Sequence, residues 1–398
     1  MIYWIFSGGL VLLGIGAWLI LEPASPLLLD ATTGYPYAVL GTSVLLAWRF
    51  QRSRVAWAAM LAGAAHLALT LWPAADHRTT FAATAVLFPV ALAGLAFADD
   101  RGPFSKRGLV QFALGVALPA LLVGLSPLAT PEIVRLLDPL RLPALPDGGL
   151  PLPRPALFGF MAGAVAIGAS LARRRRPTEA GLLWALVAGL LMLQSPPAGP
   201  AAGAWLLAAG AVLALSVVES SYTMAYYDEL TGLPARRALK RALAELRPPY
   251  AIAVADVDRF KEVNDTFGHE VGDQILRMIA MRLARVEDGR AYRSGGEEFT
   301  LVFPGLSREE ARDRAEHVRL AVEASPFKLR RRGRPAYKPA VAPGDKKKKK
   351  KRPKELPVTI SIGIAAGDSR NVPTDVVVQV ADRALYQAKT SGRNRIAV

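Results

Sequence analysis

Eight apolar stretches fill the first half of this chain, at roughly 3–21, 33–49, 55–72, 80–97, 108–125, 156–172, 181–194 and 202–218. Each is near the length that crosses a bilayer, and the seventh is the shortest. Composition sharpens the point. The 398 residues are 52% hydrophobic and carry a formal net charge of +16. Those facts coexist only if apolar and charged residues are segregated, and the second half holds most of the charge. Cysteine is absent, which excludes disulfides, thiolate metal sites and cysteine nucleophiles. His66, His77, His269 and His317 are too scattered for a multi-histidine metal cage. Met1-Ile2-Tyr3-Trp4 has no basic region of the kind that opens a cleavable signal.

The connections give an orientation, because cytoplasmic loops collect Lys and Arg. Arg49, Arg52 and Arg54 follow the second span, Arg101, Lys106 and Arg107 the fourth, and Arg173 to Arg176 the sixth. The first connection has Glu22 and Asp30 without a base, and the seventh, Ser195 to Pro200, is uncharged. All strongly basic loops therefore fall on one side, and eight crossings place both termini there, in the cytoplasm. The long proline-rich connection from Ser126 to Pro155 lies outside, where it either covers a ligand site or merely joins two spans. His66 sits within the third span, where ionisable groups are costly; it reads as a histidine hydrogen-bonded between helices. Gly63, Gly163 and Gly210 suit close helix packing.

After a short connector, 219–227, helix and strand patterns alternate. A helix follows Pro234, with Leu239, Leu243 and Leu246 at helical spacing. Tyr250 to Val257 is a continuous apolar run, as in a buried central strand. Val271, Ile275, Ile279 and Leu283 line one helix face. Further elements are a charged helix at about 307–324, a strand at 357–364 and a last helix stopped near Gly392. The expected architecture is an N-terminal all-α transmembrane bundle of about eight helices (1–218) followed by a C-terminal α/β domain (228–398). That domain has a mostly antiparallel central sheet flanked by helices.

Gly295 and Gly296 stand between two extended runs, a hairpin signal that predicts a two-residue turn with positive φ. Glu297 and Glu298 follow directly; adjacent strand residues point to opposite faces, so both cannot decorate one face. Three more clusters carry possible chemistry. Asp256-Val257-Asp258-Arg259-Phe260-Lys261 ends the buried strand, as a magnesium and phosphate cradle or simply as a strand cap. Asn264 and Asp273 together match a purine edge such as guanine, or else form a loop and helix cap. Lys389 and Arg393, late in the last helix and beyond it, clamp phosphate or complement the helix dipole.

Read together, these blocks resemble the GGDEF domain of diguanylate cyclases, a nucleotidyl-cyclase-like fold. The resemblance runs from Asp228 to Asn394. It includes Asp228-Glu229-Leu230-Thr231-Gly232-Leu233-Pro234, Asp256-x-Asp258-x-Phe260-Lys261, Asn264-Asp265-x-x-Gly268-His269-x-x-Gly272-Asp273, Gly295-Gly296-Glu297-Glu298-Phe299 and Ala384-Leu385-Tyr386-Gln387-Ala388-Lys389-x-x-Gly392-Arg393-Asn394. Ala235 departs from the asparagine usual in that family. The resemblance implies condensation of two GTP into cyclic di-GMP and two pyrophosphates. It assigns Asp256, the Val257 carbonyl and Glu297 to Mg²⁺ (or Mn²⁺), Asn264 and Asp273 to guanine, and the backbone at Phe260 with Lys261, Lys389 and Arg393 to phosphates. Gly295 and Gly296 let nucleotide approach the backbone, and Glu297 or Glu298 accepts the 3′-hydroxyl proton. One domain binds one GTP, so the resemblance also implies a homodimer, held at the inner membrane of a bacterial cell with the cyclase domain cytoplasmic.

Two features depart further. The family's product-inhibition site is Arg-x-x-Asp five residues before the glycine pair. Arg285-Val286-Glu287-Asp288 has that form, but six residues intervene, and a one-residue offset turns strand side chains to the other face. This inhibitory site is expected to be degenerate. Between Lys328 and Leu356 lie fourteen bases, with Lys346 to Lys351 in a row, against two acids. Such a run cannot bury a core and should bulge from a hairpin. It reads as a solvated loop, as a contact for anionic lipid, or as a site for RNA or another polyanion; no specific nucleic acid is expected. Two other functions compete with the cyclase: a GGDEF domain that binds nucleotide without turnover, and a transporter with a regulatory tail.

Overall fold

The computed structural model describes residues 3–21, 34–71, 77–100, 102–125, 152–196, 199–329, 355–369 and 372–398. Two compact units divide the chain, Met1–Tyr222 and Thr223–Val398. Among the described residues the first is built of helices: α1 (Tyr3–Leu21), α2 (Tyr35–Arg49), α3 (Ser53–Leu71), α4 (His77–Phe97), α5 (Lys106–Gly124), α6 (Arg154–Arg174), α7 (Pro177–Gln194) and α8 (Pro200–Tyr226), the last ending just inside the second. Every expected apolar stretch coincides with one of them. Six, α3 to α8, are long and apolar enough to cross a membrane; α1 and α2 are shorter on that measure. At 15 residues α2 spans only about 22 Å, less than a hydrocarbon core. The eight-span count is thus reduced to six clear candidates among the described residues. The connection at 126–151 and the acids of the first loop lie outside the described residues.

Small residues bring these helices together. Gly210 of α8 faces α2, where its carbonyl accepts a 2.7 Å hydrogen bond from Ser43 Oγ. Gly189 of α7 leaves room for the Phe88 ring, which a Cβ there would strike. The Tyr37 hydroxyl lies 2.7 Å from His66 Nδ1, so this histidine is hydrogen-bonded between helices as expected. Within α5, Pro119 lacks the N–H that the Gly115 carbonyl would accept, and Ala113–Ala117 widens into a π turn.

The second unit is an α/β sandwich. It comprises α9 (Arg236–Glu245), β1 (Tyr250–Val257), α10 (Phe260–Phe267), α11 (His269–Leu283), β2 (Arg290–Arg293), β3 (Glu298–Pro304), α12 (Arg308–Glu323), β4 (Phe327–Lys328), β5 (Glu355–Leu356), β6 (Ile360–Gly367), α13 (Thr374–Thr390) and β7 (Ile396–Ala397). The five-stranded sheet has the order β2-β3-β1-β6-β7, antiparallel except for the parallel β6–β7 pair. Alternation along β1 assigns the two faces. Ala251, Ala253, Ala255 and Val257 join Ile275, Ile279, Ala315 and Val322 of α11 and α12 in one core. Tyr250, Ile252 and Val254 meet Val377, Ala381 and Leu385 of α13 on the other face. Gly363 of β6 lies so close to α13 that a Cβ would collide with helix backbone. The β4–β5 pair is the expected hairpin stem around the basic insert, whose residues 330–354 lie outside the described residues.

Candidate active site

Asp256 is the last inward residue of β1 on the α13 face, and only 4% of it is exposed. Directly opposite it in the register of β3 stands Glu298. Lys389 reaches in from α13 and places Nζ 2.9 Å from Asp256 Oδ1. Burial pushes the Asp256 carboxyl above the usual carboxylate range; Lys389 opposes this, while Glu298 and Asp258 add to it. Glu297 is raised as well, by burial and then by Asp256. The structure therefore gathers Asp256, Glu297, Glu298 and Lys389 at one end of two central strands.

The glycine pair behaves differently from expectation. Neither Gly295 nor Gly296 has positive φ, and the turn spans four residues, 294–297. Two backbone donors, Ser294 N and Gly295 N, converge on the Glu298 carbonyl at 3.1 and 3.3 Å. Because the turn is wider, Glu297 lies within it and not on the strand. That removes the face-alternation conflict between the two acids. A Cβ on Gly295 would press on Glu298 Oε2 at 2.7 Å, whereas Gly296 faces open space where a ligand can approach.

Arg293 sets this turn, a role that sequence spacing does not reveal. Its guanidinium donates to the carbonyls of Gly295 (3.2 Å) and Gly296 (2.6 Å) and to Asp228 Oδ1 (2.7 Å). Asp228 also accepts from the Thr231 amide and hydroxyl, which closes the loop that opens the domain. Despite burial, these partners hold the Asp228 carboxyl below its ordinary value. The first block of the domain is thus tied to the acidic turn. Only an arginine with several donors, preceding the glycines and following an otherwise unexplained aspartate, hints at this in the sequence.

Asp258 turns away from the other acids. It accepts from Thr359 Oγ1 (2.7 Å), Ser361 Oγ (2.6 Å) and the Asn394 amide (3.0 Å), while Asn394 itself meets Arg319 and Glu323. Its work is to pin the end of the chain to the end of β1. After the left-handed Arg259 (φ 53°), α10 starts at the buried Phe260, with Lys261 exposed on its first turn. Arg393 is exposed beyond α13 at φ 65°. Neither Lys261 nor Arg393 joins the Asp256 cluster by a side-chain ion pair among the described residues.

A second locus lies on α10 and α11. The Asn264 Oδ1 is buried without a hydrogen-bond partner, an expensive state for an amide oxygen unless a ligand supplies a donor. Gly272 gives it room, since a Cβ there would overlap that oxygen. Asp273, one residue on in α11, is half-buried. An unmatched acceptor beside a carboxylate suits a purine that offers donors.

Among the described residues no three acid or histidine side chains converge into a cage for a metal. The donor set still fits Mg²⁺, which usually keeps waters and takes one or two carboxylates together with substrate phosphates. The fit rests on Asp256, a buried carboxylate crowded by two more acids and neutralised only by Lys389.

A mixed sheet thus carries a carboxylate cluster at the end of its central strands, with an orphaned amide on the helix that follows β1. Residues 225–340 and 344–395 match the family described as diguanylate cyclase, GGDEF domain, and the second unit is a GGDEF domain. Over 190 residues the chain is 36% identical to the response regulator PleD of Caulobacter vibrioides, covering 45% of this chain and 37% of that protein. Over 177 residues it is 37% identical to the diguanylate cyclase VdcA of Vibrio cholerae, covering 43% and 46%. The crystallised GGDEF domain of DgcB from Caulobacter crescentus, in complex with c-di-GMP, is 31% identical; the match covers 44% of this chain and 92% of that one at TM-score 0.36. This chain spans less than half the length of either curated relative.

Proposed function

We propose that this protein is a membrane-bound diguanylate cyclase, condensing two GTP into cyclic di-GMP and two pyrophosphates as a homodimer. The observation that carries the reading is the buried Asp256 facing Glu298 and Glu297 within a matched GGDEF domain. Asp256, the Val257 carbonyl and Glu297 hold Mg²⁺ or Mn²⁺, which supplies charge neutralisation on the triphosphate when bound. Asn264 and Asp273 read guanine, and the buried unpartnered Asn264 oxygen supports that assignment. Lys389 leaves Asp256 for the phosphates, joined by Lys261, Arg393 and the backbone at Phe260. The 3′-oxygen of one GTP attacks the α-phosphorus of the other, and the bond to the departing pyrophosphate breaks. The hydroxyl proton passes to Glu297 or Glu298. Such transfer asks the protein mainly for positioning and charge compensation, which these residues provide.

The first unit anchors the enzyme in the bacterial inner membrane, with both termini and the cyclase domain cytoplasmic; six long apolar helices support this. Product inhibition through Arg285 and Asp288 is lost, a reading favoured by the Asp288 carboxylate pairing with Arg314 at 2.9 Å. The test is incubation of the purified chain with GTP and Mg²⁺. Cyclic di-GMP should form, and Asp256→Asn and Glu298→Gln should each reduce it at least about a hundredfold. A chain that binds GTP and makes no product would instead be a nucleotide sensor.

A further inference from the structure

Helix α9 has a face that the nucleotide chemistry does not use. Leu239, Ala242, Leu243 and Leu246 turn inward against Tyr292 and Val302. Arg236, Arg237, Lys240 and Arg241 form an exposed stripe on the opposite side, and among the described residues only Arg241 has an ion pair, with Glu245 at 3.0 Å. The place of this helix in the chain matters. The Ala235 amide donates to the Tyr226 carbonyl at 2.8 Å, so α9 begins at the tip of the apolar helix α8. From Val218, where the apolar run ends, to Tyr226 is eight residues, about 12 Å of helix. Tyr222 and Tyr226 lie in that interval, with Tyr227 directly after it, and tyrosine rings favour the headgroup level.

We propose that the basic face of α9 docks on anionic lipid headgroups and holds the GGDEF domain against the cytoplasmic leaflet. The inference rests on the membrane reading above and is independent of turnover. Each base near a charged leaflet shifts the docked-to-free ratio roughly fivefold, so four together dominate the pose of a tethered domain. Attraction of this kind falls off over a Debye length of about 8 Å at physiological salt. This stripe sits on an amphipathic helix at the tether itself.

The absence of cysteine allows a clean test. The full chain with Ala244→Cys on the exposed side of α9 carries a donor dye and enters nanodiscs with acceptor-labelled headgroups. Discs with about 30 mol% phosphatidylserine should give higher energy transfer than phosphatidylcholine discs, and about 0.5 M salt should erase the difference. Arg236→Gln, Arg237→Gln, Lys240→Gln and Arg241→Gln combined should abolish it, whereas changing Lys346 to Lys351 to Gln should leave it. No lipid dependence in the parent chain overturns the proposal. So does a dependence that survives the α9 changes and disappears with the insert changes. Single-stranded RNA bound through α9 without any lipid response would reassign the face to nucleic acid. Incorporation into neither disc would defeat the membrane reading itself; incorporation without a lipid response defeats only the docking. The salt titration of the parent chain carries the test should the fourfold variant misfold.

Discussion

At the residue scale the site is a balance of charges that suits function more than stability. Asp256 has a raised carboxyl pKa, so the folded state binds its proton more tightly than the unfolded chain does. The stabilisation this represents is present below the unfolded value and is lost as pH rises through the folded one. Asp256→Asn should therefore not lower, and should slightly raise, the melting temperature of the metal-free protein at neutral pH. The same change should erase the upward shift that Mg²⁺ with a GTP analogue gives the parent chain, as read by differential scanning fluorimetry. Metal binding needs the ionised form, so Mg²⁺ affinity measured by titration should begin to fall at a pH above the ordinary carboxylate range; a fall that begins only within that range would oppose this. Arg293 works in the other direction. Arg293→Ala leaves Asp228 and two turn carbonyls without their donor, which should cost about 1–3 kcal/mol in denaturant unfolding. It should also lower turnover more than GTP binding, because the turn carries the acids while Asn264 lies elsewhere. Asp256, Asn264 and Lys389 stand out in the sequence because their types and order match one chemistry, although the Lys389–Asp256 ion pair does not show there. Arg293 and Asp258 were not, because each acts through long-range hydrogen bonds that no local spacing encodes.

At the element scale, patterns of one period were readable and local interruptions were not. The β1 range, 250–257, follows directly from an uninterrupted apolar run. Strand β6 begins at Ile360, three residues later than expected, because Thr359 is engaged by Asp258 through both its hydroxyl and its carbonyl. The short α10 is too brief to carry a helical period in the sequence, being bounded by left-handed Arg259 and by Gly268 at φ 88°. In the first unit Arg52 and Arg54 fall in a basic connection, yet both are buried. Arg54 is fully enclosed and donates to Asp100 (2.7 Å) and Glu179 (2.9 Å), while Arg174 approaches Glu179 at 3.6 Å. This clasp joins the starts of α3 and α7 to the ends of α4 and α6. Hydropathy hides it, since the partners lie far apart in sequence. Removing one member of a buried pair strands the other, so Glu179→Ala should destabilise the detergent-solubilised protein by about 3–5 kcal/mol. A paired Arg54→Met and Glu179→Leu change should recover most of that in the same thermal assay.

At the scale of the whole molecule, the proposed chemistry on two GTP sets the requirement. One domain presents one Asp256 cluster and one Asn264 locus, so on that proposal a phosphorus held by one copy must meet a hydroxyl held by another. Product formation by a freely diffusing domain should therefore rise with the square of its concentration until dimers saturate. The full chain escapes that dependence if the membrane unit keeps two copies together, because tethering replaces bulk concentration with a local one in the millimolar range. Helix α8 is the element able to carry such coupling, since it runs unbroken from the apolar series to Tyr226, whose carbonyl receives the Ala235 amide. From there Asp228 and Arg293 lead to the acidic turn. The comparison that decides is between the 220–398 fragment and the full chain in discs, at equal and dilute enzyme concentration. The fragment should lose rate steeply on dilution while the full chain keeps a constant rate per molecule. Equal rates at every dilution would mean that the helical unit anchors the enzyme and does nothing to bring its two halves together.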